Sequence, residues 1–325
     1  MKVILKRLLT TACALVLVAS LTLTTSCKVS KTVQGEPTVA ATPSPSDTGP
    51  YGPPQVIGTI KNLAVSESSG LVASRTSPGV YWTHNDSGDG PFIYAMGEKG
   101  DSFGVWRVTG AEADDWEDIS VGPGPQADKS YLYIGDIGDN DSTRKHIVIY
   151  RVLEPTPTLA DQQSSKAKPR VTEPAEVIRL RYPDGAHDAE ALLVDPKTGK
   201  IFIVTKIAMQ KPGIYEAVMP LEVGKSNTMK FVGELKIPSP FGGIITGGSV
   251  SPDGTRLALC DYFQGYETEL PAGSSSFEEI WKQRFVSFNF GKRKQGESIA
   301  YRFDGRAVLG TSEGRGAAIF EVVRK

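Results

Sequence analysis

The stretch AEALLVDP, residues 189–196, shows most clearly the pattern that decides the fold: an acidic residue opens a short apolar strand, and a turn follows. WEDISVGP at Glu117 and GESIAYRFDG at Glu297 repeat it, and Glu67 in ESSGLVAS and Thr246 in TGGSVSPDG hold the same position. Successive copies are 50, 73, 56 and 51 residues apart. Such periods are typical of propellers and solenoids, whose units bury their cores only by stacking on neighbours. The chain therefore contains five such units.

The composition limits the class of protein. Across 325 residues, a hydrophobic content of 39% allows a large core, and 34 glycines with 22 prolines suit many short strands joined by turns. The formal net charge of -1 provides no long-range field that would attract nucleic acid. We therefore expect a monomeric all-β protein whose partner is a small-molecule or protein ligand and not a nucleic acid.

The N-terminal segment, residues 1–27, is predicted to be a lipoprotein signal peptide. Three basic residues precede an apolar run over 8–23, which ends in small residues and Cys27. LTTSC resembles a bacterial lipobox with Thr24 where Leu is usual, so lipidation is expected at Cys27. Ordinary secretory cleavage nearby is the alternative. The lipid would hold the protein in the cell envelope, on the periplasmic or cell-surface side, and would be its one contact with the membrane.

Residues 28–54 are predicted to be a flexible tether, because they are rich in Ser, Thr and Pro and nearly lack large apolar side chains. The folded domain is predicted over residues 55–325. Cys260 is the one cysteine that remains in it, so no disulfide is expected there.

Each unit resolves into four short strands separated by turn signals; the third, for example, gives ALLVD, KIFIVTK, GIYEAV and KFVGELKI. The fifth unit has three, and VIGTIK at 56–61 is expected to supply its outer strand. These units predict a five-bladed β-propeller of four-stranded blades, closed by the N-terminal strand. A six-bladed propeller is the alternative, and it would split the second unit. The length of that unit, however, comes mostly from a polar insertion around 154–175.

The repeated position brings charge to the axis, because the first strand of each propeller blade lines the central channel. Strand alternation puts Asp115 and Asp188 on the same side as Glu117 and Glu190. Two unit charges about 6 Å apart repel by roughly 3 kcal/mol at an effective dielectric near 20, so the ring has to be neutralised. Protonation, an inward basic side chain such as Lys206, or a hard cation would do so.

Oxygen ligands without His or Cys favour calcium over zinc or copper. We therefore predict an axial calcium ion, with the residues at the repeated position as its ligands. These residues, called the slot residues below, are Glu67, Glu117, Glu190, Thr246 and Glu297. The alternative is an acidic, water-filled channel or a salt-bridged ring.

The loops of one face bring further polar groups to the channel mouth. The second strand of each blade runs back antiparallel and ends there, and the loops before the slot residues arrive there too. The candidate ligand-binding residues on this face are His84, Asp86, Asp136, Arg144, Arg181, His187, Lys206 and Glu313. No Ser-His-Asp set, zinc spacing or phosphate-binding glycine loop can be defended in the sequence, so no catalytic residue is assigned.

Several phrases resemble a widespread, largely uncharacterised family of bacterial secreted and lipoprotein β-propellers over residues 63–322. They are YWTHNDSGDG, YIGDIGDN, YPDGAHDAEALLVDP, VSPDGTRLAL, QGESIAY and SEG. TGGS at 246–249 departs from the more acidic phrase of that family. The ring of slot residues is similar to that of calcium-activated nucleotidases of the apyrase type, and distantly to that of phytase-like propellers. This similarity implies an axial calcium held by glutamates and hydroxyl groups, and it carries over no catalytic residue.

Two functions from different classes are compatible with these features. The first is an envelope-anchored, calcium-binding propeller that binds a ligand or partner on its loop-rich face. The second is a calcium-dependent phosphoester hydrolase, in which the ion polarises a phosphoryl oxygen and Lys206, Arg144 or Arg181 holds the phosphate. The fold does not decide between them, because propellers include enzymes and binding modules alike.

Overall fold

The computed structural model describes residues 50–240 and 242–325. Their strands form five successive sheets of at least four strands, arranged as the blades of a β-propeller, which confirms the predicted fold class. The four repeated strands of each blade are antiparallel to their neighbours. The inner strands of blades 1 to 5 are Ser68–Ala73, Trp116–Pro123, Ala189–Val194, Gly247–Val250 and Ala300–Tyr301.

The other three strands follow outward in each blade. The second strands are Val80–Asn85, Ser130–Asp136, Ile201–Thr205, Arg256–Cys260 and Ala307–Gly310. The third strands are Phe92–Gly97, Ile147–Leu153, Gly213–Glu216, Gln264–Glu269 and Ala318–Val323. The outer strands are Ser102–Thr109, Glu176–Arg181, Lys230–Glu234, Val286–Asn289 and Gln55–Thr59. The face on which inner strands begin and second strands end is called the mouth face.

Blade 5 is built from both ends of the folded chain. Gln55–Thr59 pairs antiparallel with Ala318–Val323, from Gln55 opposite Glu321 to Thr59 opposite Ala318. The folded chain begins a little before the predicted boundary at residue 55, since Tyr51 is 1% exposed and its hydroxyl donates to Glu267 Oε1 at 2.5 Å. The ring thus closes without leaving the third strand of blade 5 as an open sheet edge.

Five hydrophobic clusters fill the spaces between neighbouring blades, one for each pair. In the inner strand of blade 3, Leu192 and Val194 pack against blade 2, whereas Ala191 and Leu193 pack against blade 4. The strand therefore reads as a continuous apolar run because both faces of the blade are buried. Each large aliphatic side chain buried in this way contributes roughly 1.5–3 kcal/mol.

The polar insertion around 154–175 does not form another blade. It contains a 3-10 helix, Leu159–Gln163, and a strand, Arg170–Pro174, that pairs in parallel with the outer strand of blade 1. Ser226–Thr228 extends blade 2 in the same parallel way. The sequence does not predict these two added strands, because they are short and polar and lack period-two alternation. The predicted helical insertion in blade 4 is a 3-10 helix, Phe277–Lys282.

A separate pair of two-residue strands joins Ile207–Ala208, in the loop between the second and third strands of blade 3, to Gly242–Gly243, in the loop that leads to blade 4. Within the described part of the chain, no helix is long and apolar enough to cross a membrane. The predicted signal peptide, the lipidated Cys27 and residues 28–49 of the predicted tether lie outside the described residues.

Candidate functional site

Three carboxylates from blades 1 and 2 meet on the mouth face. Asp86 follows the second strand of blade 1, Asp115 precedes the inner strand of blade 2, and Glu117 lies within that strand. One oxygen of each lies within 4.8 Å of those of the other two. Oxygens bound to one calcium at 2.3–2.6 Å can be at most about 5 Å apart, so this spacing suits a shared ion. This group, the acidic pocket, is Asp86, Asp115 and Glu117.

A β-bulge aims Glu117 into the acidic pocket. Trp116 pairs with Asp136, but Asp118 already pairs with Gly135, so Glu117 has no partner residue across the strand pair. Glu190 is skipped in the same way in blade 3, between Ala189 and Ala191. A bulge re-aims side chains that regular alternation would send to opposite faces. Consecutive acidic residues of blade 2 can therefore both reach the axis.

The backbone of blade 2 closes tightly around the acidic pocket. A Cβ at Gly138 would overlap the carboxylates of Asp115 and Glu117. The Gly138 N–H donates to the Asp115 carbonyl at 3.2 Å. Asp136 accepts hydrogen bonds from the N–H groups of Asp114 and Asp115 at 3.1 and 3.2 Å, and pairs with Arg144 at 2.8 Å. Asp136 is thus engaged in holding the loop that carries Asp115.

Burial and crowding of like charge raise the pKa values of these carboxyls. Burial, then repulsion from Asp86 and Asp188, raises the pKa of Asp115 to about 6. Burial and the neighbouring Glu190 raise the pKa of Glu117 well above its usual range. Each shift means that the ionised form lacks sufficient compensation in the folded protein.

Glu190 links the acidic pocket to a basic side chain. Lys206 donates to Glu190 Oε1 and, at 2.9 Å, to the hydroxyl of Tyr262. Burial and the carboxylates of Asp188 and Asp86 outweigh Lys206, so the pKa of Glu190 rises to about 8. Glu190 Oε2 is buried without a hydrogen-bond partner among the described residues. One oxygen therefore accepts a hydrogen bond from Lys206, and the other is left for a further cation or proton.

The remaining slot residues differ in their surroundings. Burial, then Glu190, raises the pKa of Glu297 to about 9, so Glu297 shares the electrostatic environment of the ring. Thr246 is fully buried, and its hydroxyl donates to the Gly296 carbonyl at 2.9 Å. Glu67 is half-buried, and its backbone forms an isolated antiparallel β-bridge with that of Glu313. Burial and mutual repulsion thus tie Glu117, Glu190 and Glu297 together most closely.

Asp118 lies on the propeller axis, one residue deeper than Glu117. Its Oδ2 accepts the N–H of Leu192 in blade 3 at 2.9 Å and that of Gly248 in blade 4 at 3.2 Å. Its Oδ1 accepts the N–H of Ile119 at 2.8 Å. Blades 2 and 4 are not neighbours, so the side chain spans the axis and narrows the channel below the acidic pocket. Asp118 therefore joins blades 2, 3 and 4 at the axis.

The two candidate histidines are held by neighbouring groups. His84 is fully buried, its Nδ1 lies 2.9 Å from the Asn85 carbonyl, and its ring packs edge-on against Trp116. His187 Nε2 lies 3.0 Å from Asp184 Oδ1 and 2.9 Å from the Tyr215 hydroxyl. His84 is therefore sealed from the mouth face, whereas His187 is a partly exposed member of a polar network.

Arg144 and Arg181, which lie 37 positions apart in the sequence, line one cavity beside the acidic pocket. Glu313 accepts from Gln295 at 2.6 Å and contributes to the raised pKa of Glu297. Of the eight candidates, Asp86 alone belongs to the acidic pocket, Lys206 pairs with a slot residue, and Asp136 supports the loop of Asp115.

Sequence reasoning placed Asp115 beside Glu117 but did not include it among the metal ligands. It missed Asp118, Gly138 and Tyr262 altogether. The acidic pair of residues 117 and 118 in WEDIS was the one available signal for Asp118, and only the bulge makes both residues axial. Tyr262 follows a strand end in a loop whose path the sequence does not specify.

No protein-family model matches the chain, and no curated protein matches its sequence. Among solved structures, the chain resembles the "Crystal structure of Nidogen/Laminin Complex", with 12% identity, a TM-score of 0.42, and coverage of 76% of this chain and 73% of that chain. It also resembles the apo form of the soluble aldose sugar dehydrogenase from Escherichia coli, with 10% identity, a TM-score of 0.40, and coverage of 84% and 99%.

Both solved structures are β-propeller proteins, but at these identities and TM-scores they carry no argument about what this chain binds. The resemblance to a bacterial secreted propeller family and the similarity to calcium-activated nucleotidases stay predictions.

Proposed function

We propose that this propeller binds calcium in the acidic pocket and, with it, a ligand on the mouth face. The observation that carries the proposal is the approach of the Asp86, Asp115 and Glu117 oxygens to within 4.8 Å of one another. At that separation two unit charges repel by about 3.5 kcal/mol at an effective dielectric near 20. A divalent cation converts this repulsion into attraction.

The donor set suits a hard cation. Asp86, Asp115 and Glu117 offer carboxylate oxygens, and calcium prefers six to eight oxygen ligands in flexible geometry. Oε2 of Glu190, which has no hydrogen-bond partner among the described residues, belongs to the next slot residue and not to this group of three. When bound, the ion would neutralise these carboxylates and could polarise an oxygen of a ligand.

A ring neutralised without metal is the competing explanation. Lys206 does pair with Glu190, as a salt-bridged ring requires. One ammonium group cannot balance Asp86, Asp115, Glu117, Glu190 and Glu297, however, and burial, followed by the crowding of like charge, raises the pKa values of the last four. Without metal, protons therefore neutralise part of the ring, and calcium binding would release them.

Calcium-dependent hydrolysis of phosphoesters is the second candidate function. The cavity shared by Arg144 and Arg181 favours it, since guanidinium groups bind phosphate oxygens well. Lys206, the other predicted phosphate anchor, is already held by Glu190 and Tyr262. Assays with nucleotides, phytate and simple phosphodiesters in calcium test this function, and absence of turnover on all of them would exclude it for these substrates.

The cellular location that we propose is the envelope, with the protein held by a lipid on Cys27. The export pattern of residues 1–27 supports this. Metabolic labelling with palmitate that disappears in Cys27→Ala would identify the anchor, and labelling that persists in the variant would contradict it.

The calcium site is tested by titrating calcium into chelator-treated protein in a calorimeter and by measuring thermal unfolding. We expect one binding event, and stabilisation of about 2.7 kcal/mol at a hundredfold excess over Kd. Glu117→Gln and Asp115→Asn should weaken binding about tenfold or more, which is about 1.4 kcal/mol. Asp128→Asn is the matched control, because Asp128 lies at the other end of blade 2 and has a φ of 59°, which Asn also tolerates.

Two further variants separate the calcium site from the metal-free ring. Gly138→Ala leaves every charge in place but pushes against the Asp115 and Glu117 carboxylates, so it should weaken calcium binding. Lys206→Met removes a competing cation, so it should destabilise the metal-free protein and strengthen its response to calcium. Identical melting of the wild-type protein in chelator and in calcium, with no heat of binding, would contradict the proposal.

A further inference from the structure

A cavity of about 380 Å³ opens on the mouth face between the loops of blades 2 and 3. Its lining residues are Thr143, Arg144, Lys145, Arg181, Tyr182, Gly185 and Ala186. Three of the seven are cationic and none is acidic. This cavity, called the basic cavity, has the opposite charge to the acidic pocket nearby.

Arg144 forms the fixed part of the basic cavity. Its side chain is 19% exposed, pairs with Asp136 at 2.8 Å and donates to the Gly138 carbonyl at 2.7 Å. A guanidinium group has five N–H donors in a rigid planar fork, so these bonds set its orientation and leave donors for a ligand. Asp136 and Gly138 also contact Asp115, so Arg144 is joined directly to the wall of the acidic pocket.

Arg181 is held at the edge of the basic cavity by one of the added strands. It ends the outer strand of blade 2, and its guanidinium donates to Thr228 Oγ1 at 2.7 Å. Thr228 belongs to the parallel strand Ser226–Thr228, which pairs with the residues around Arg181. The strand that extends blade 2 therefore positions a cation over the basic cavity. Lys145 adds a third, exposed cation.

Tyr182 also lines the basic cavity, and its hydroxyl is buried. The residue is 6% exposed, and its hydroxyl has no hydrogen-bond partner among the described residues. Burial raises its pKa well above the usual range, so the hydroxyl keeps its proton. An unpaired buried donor is costly to the folded protein, and a ligand or water that accepts from it removes that cost.

We propose that the basic cavity binds a phosphate-type dianion, and that it forms the anion half of a two-part ligand site whose other half is the acidic pocket. Arg144, Lys145 and Arg181 bring three positive charges to the basic cavity; Asp136 pairs with Arg144, and Asp139 accepts the N–H groups of Thr143 and Arg144 behind the lining. A phosphate group offers three strong acceptor oxygens to these donors, whereas a carboxylate offers two, so the number of donors favours phosphate. This inference rests on the proposed function in one respect: the phosphate site and the proposed calcium-dependent ligand site both lie on the mouth face.

The test is calorimetric titration of the full-length, chelator-treated protein with inorganic phosphate and, in a second arm, with acetate. Phosphate should bind, and acetate at least about tenfold more weakly, since it carries half the charge. Lys145→Met and Arg181→Met should each weaken phosphate binding about tenfold while leaving calcium binding unchanged. Lys129→Met, at the opposite end of blade 2, should change neither.

Tyr182→Phe provides a second measurement, because it removes the hydroxyl without removing charge. It should weaken phosphate binding several-fold and should not lower the melting temperature of the unliganded protein. Phosphate that fails to bind, or binds equally to the Lys145 and Arg181 variants, overturns the inference. Phosphate binding in a protein that does not bind calcium would support the basic cavity and contradict only the calcium proposal.

Discussion

At the scale of single residues, Glu190 is where the charges of the mouth compete. Lys206 bonds to one of its oxygens, while the other has no partner among the described residues. After burial, the charge of Glu190 is the next cause of the raised pKa values of Glu117 on blade 2 and Glu297 on blade 5. A change in the protonation or metal binding of Glu190 therefore affects carboxyls from three blades.

The metal-free protein should lose stability as the pH rises from about 5 to about 9. The pKa of Glu190 is raised to about 8 and that of Glu297 to about 9, against ordinary values of 4.5. Between these limits the folded state binds more protons than the unfolded state, so the free energy of unfolding falls with increasing pH. Urea unfolding in chelator at successive pH values measures this. A free energy of unfolding that rises over the same range would contradict it.

The residues of the site were predictable only in part. The repeat identifies Glu117, Glu190 and Glu297, because a repeated position in a propeller returns to the axis. It does not identify the acidic pocket, because Asp86 and Asp115 lie in loops outside the repeated strand. Regular alternation also cannot place Asp118 on the axis, since that depends on the bulge at Glu117.

At the scale of elements, the outer strand of blade 5 is the one whose loss has the clearest consequence. Deleting residues 50–59 removes Gln55–Thr59 and the buried Tyr51, and exposes the edge of Ala318–Val323. We expect a loss of at least about 3 kcal/mol from Tyr51 alone, as for other large buried side chains. The exposed edge should also promote association.

Differential scanning calorimetry and analytical ultracentrifugation measure these two effects of the deletion. Deletion of residues 28–49, the predicted tether, is the control and should change neither. A 50–59 deletion that melts like the control and stays monomeric would mean that the ring does not depend on this strand.

The strands themselves were largely predictable, and the exceptions have a physical reason. The inner strand of blade 3 is easy to predict from the sequence, because both faces of Ala189–Val194 are buried and the strand is therefore almost continuously apolar. Arg170–Pro174 and Ser226–Thr228 bury no large apolar side chain, and backbone pairing and polar side chains such as Thr172 and Thr228 hold them at a blade edge. Their sequences therefore carry no apolar pattern from which a strand could be predicted.

At the scale of the whole molecule, Asp118 joins three blades through a single carboxylate. Asp118→Asn should destabilise the protein by about 1–3 kcal/mol, because the amide places a donor against at least one of the N–H groups of Ile119, Leu192 and Gly248. The variant should still bind calcium, since the acidic pocket keeps its charges. Chemical denaturation and calcium titration measure the two effects, and unaltered stability would show that the axis does not need this carboxylate.

The two ends of the folded chain lie side by side in blade 5, so the propeller could be built from a chain that starts at a different blade. The N–H of Lys325 donates to the carbonyl of Pro50 at 2.6 Å, so a short linker could join them into a seamless loop of backbone. New termini could then be opened in an exposed turn such as that around Asp128, and such circular permutation is generally well tolerated at surface loops. A chain permuted there would end with blade 1 and the inner strand of blade 2, so Asp86, Asp115 and Glu117 would stay together near its new C-terminus.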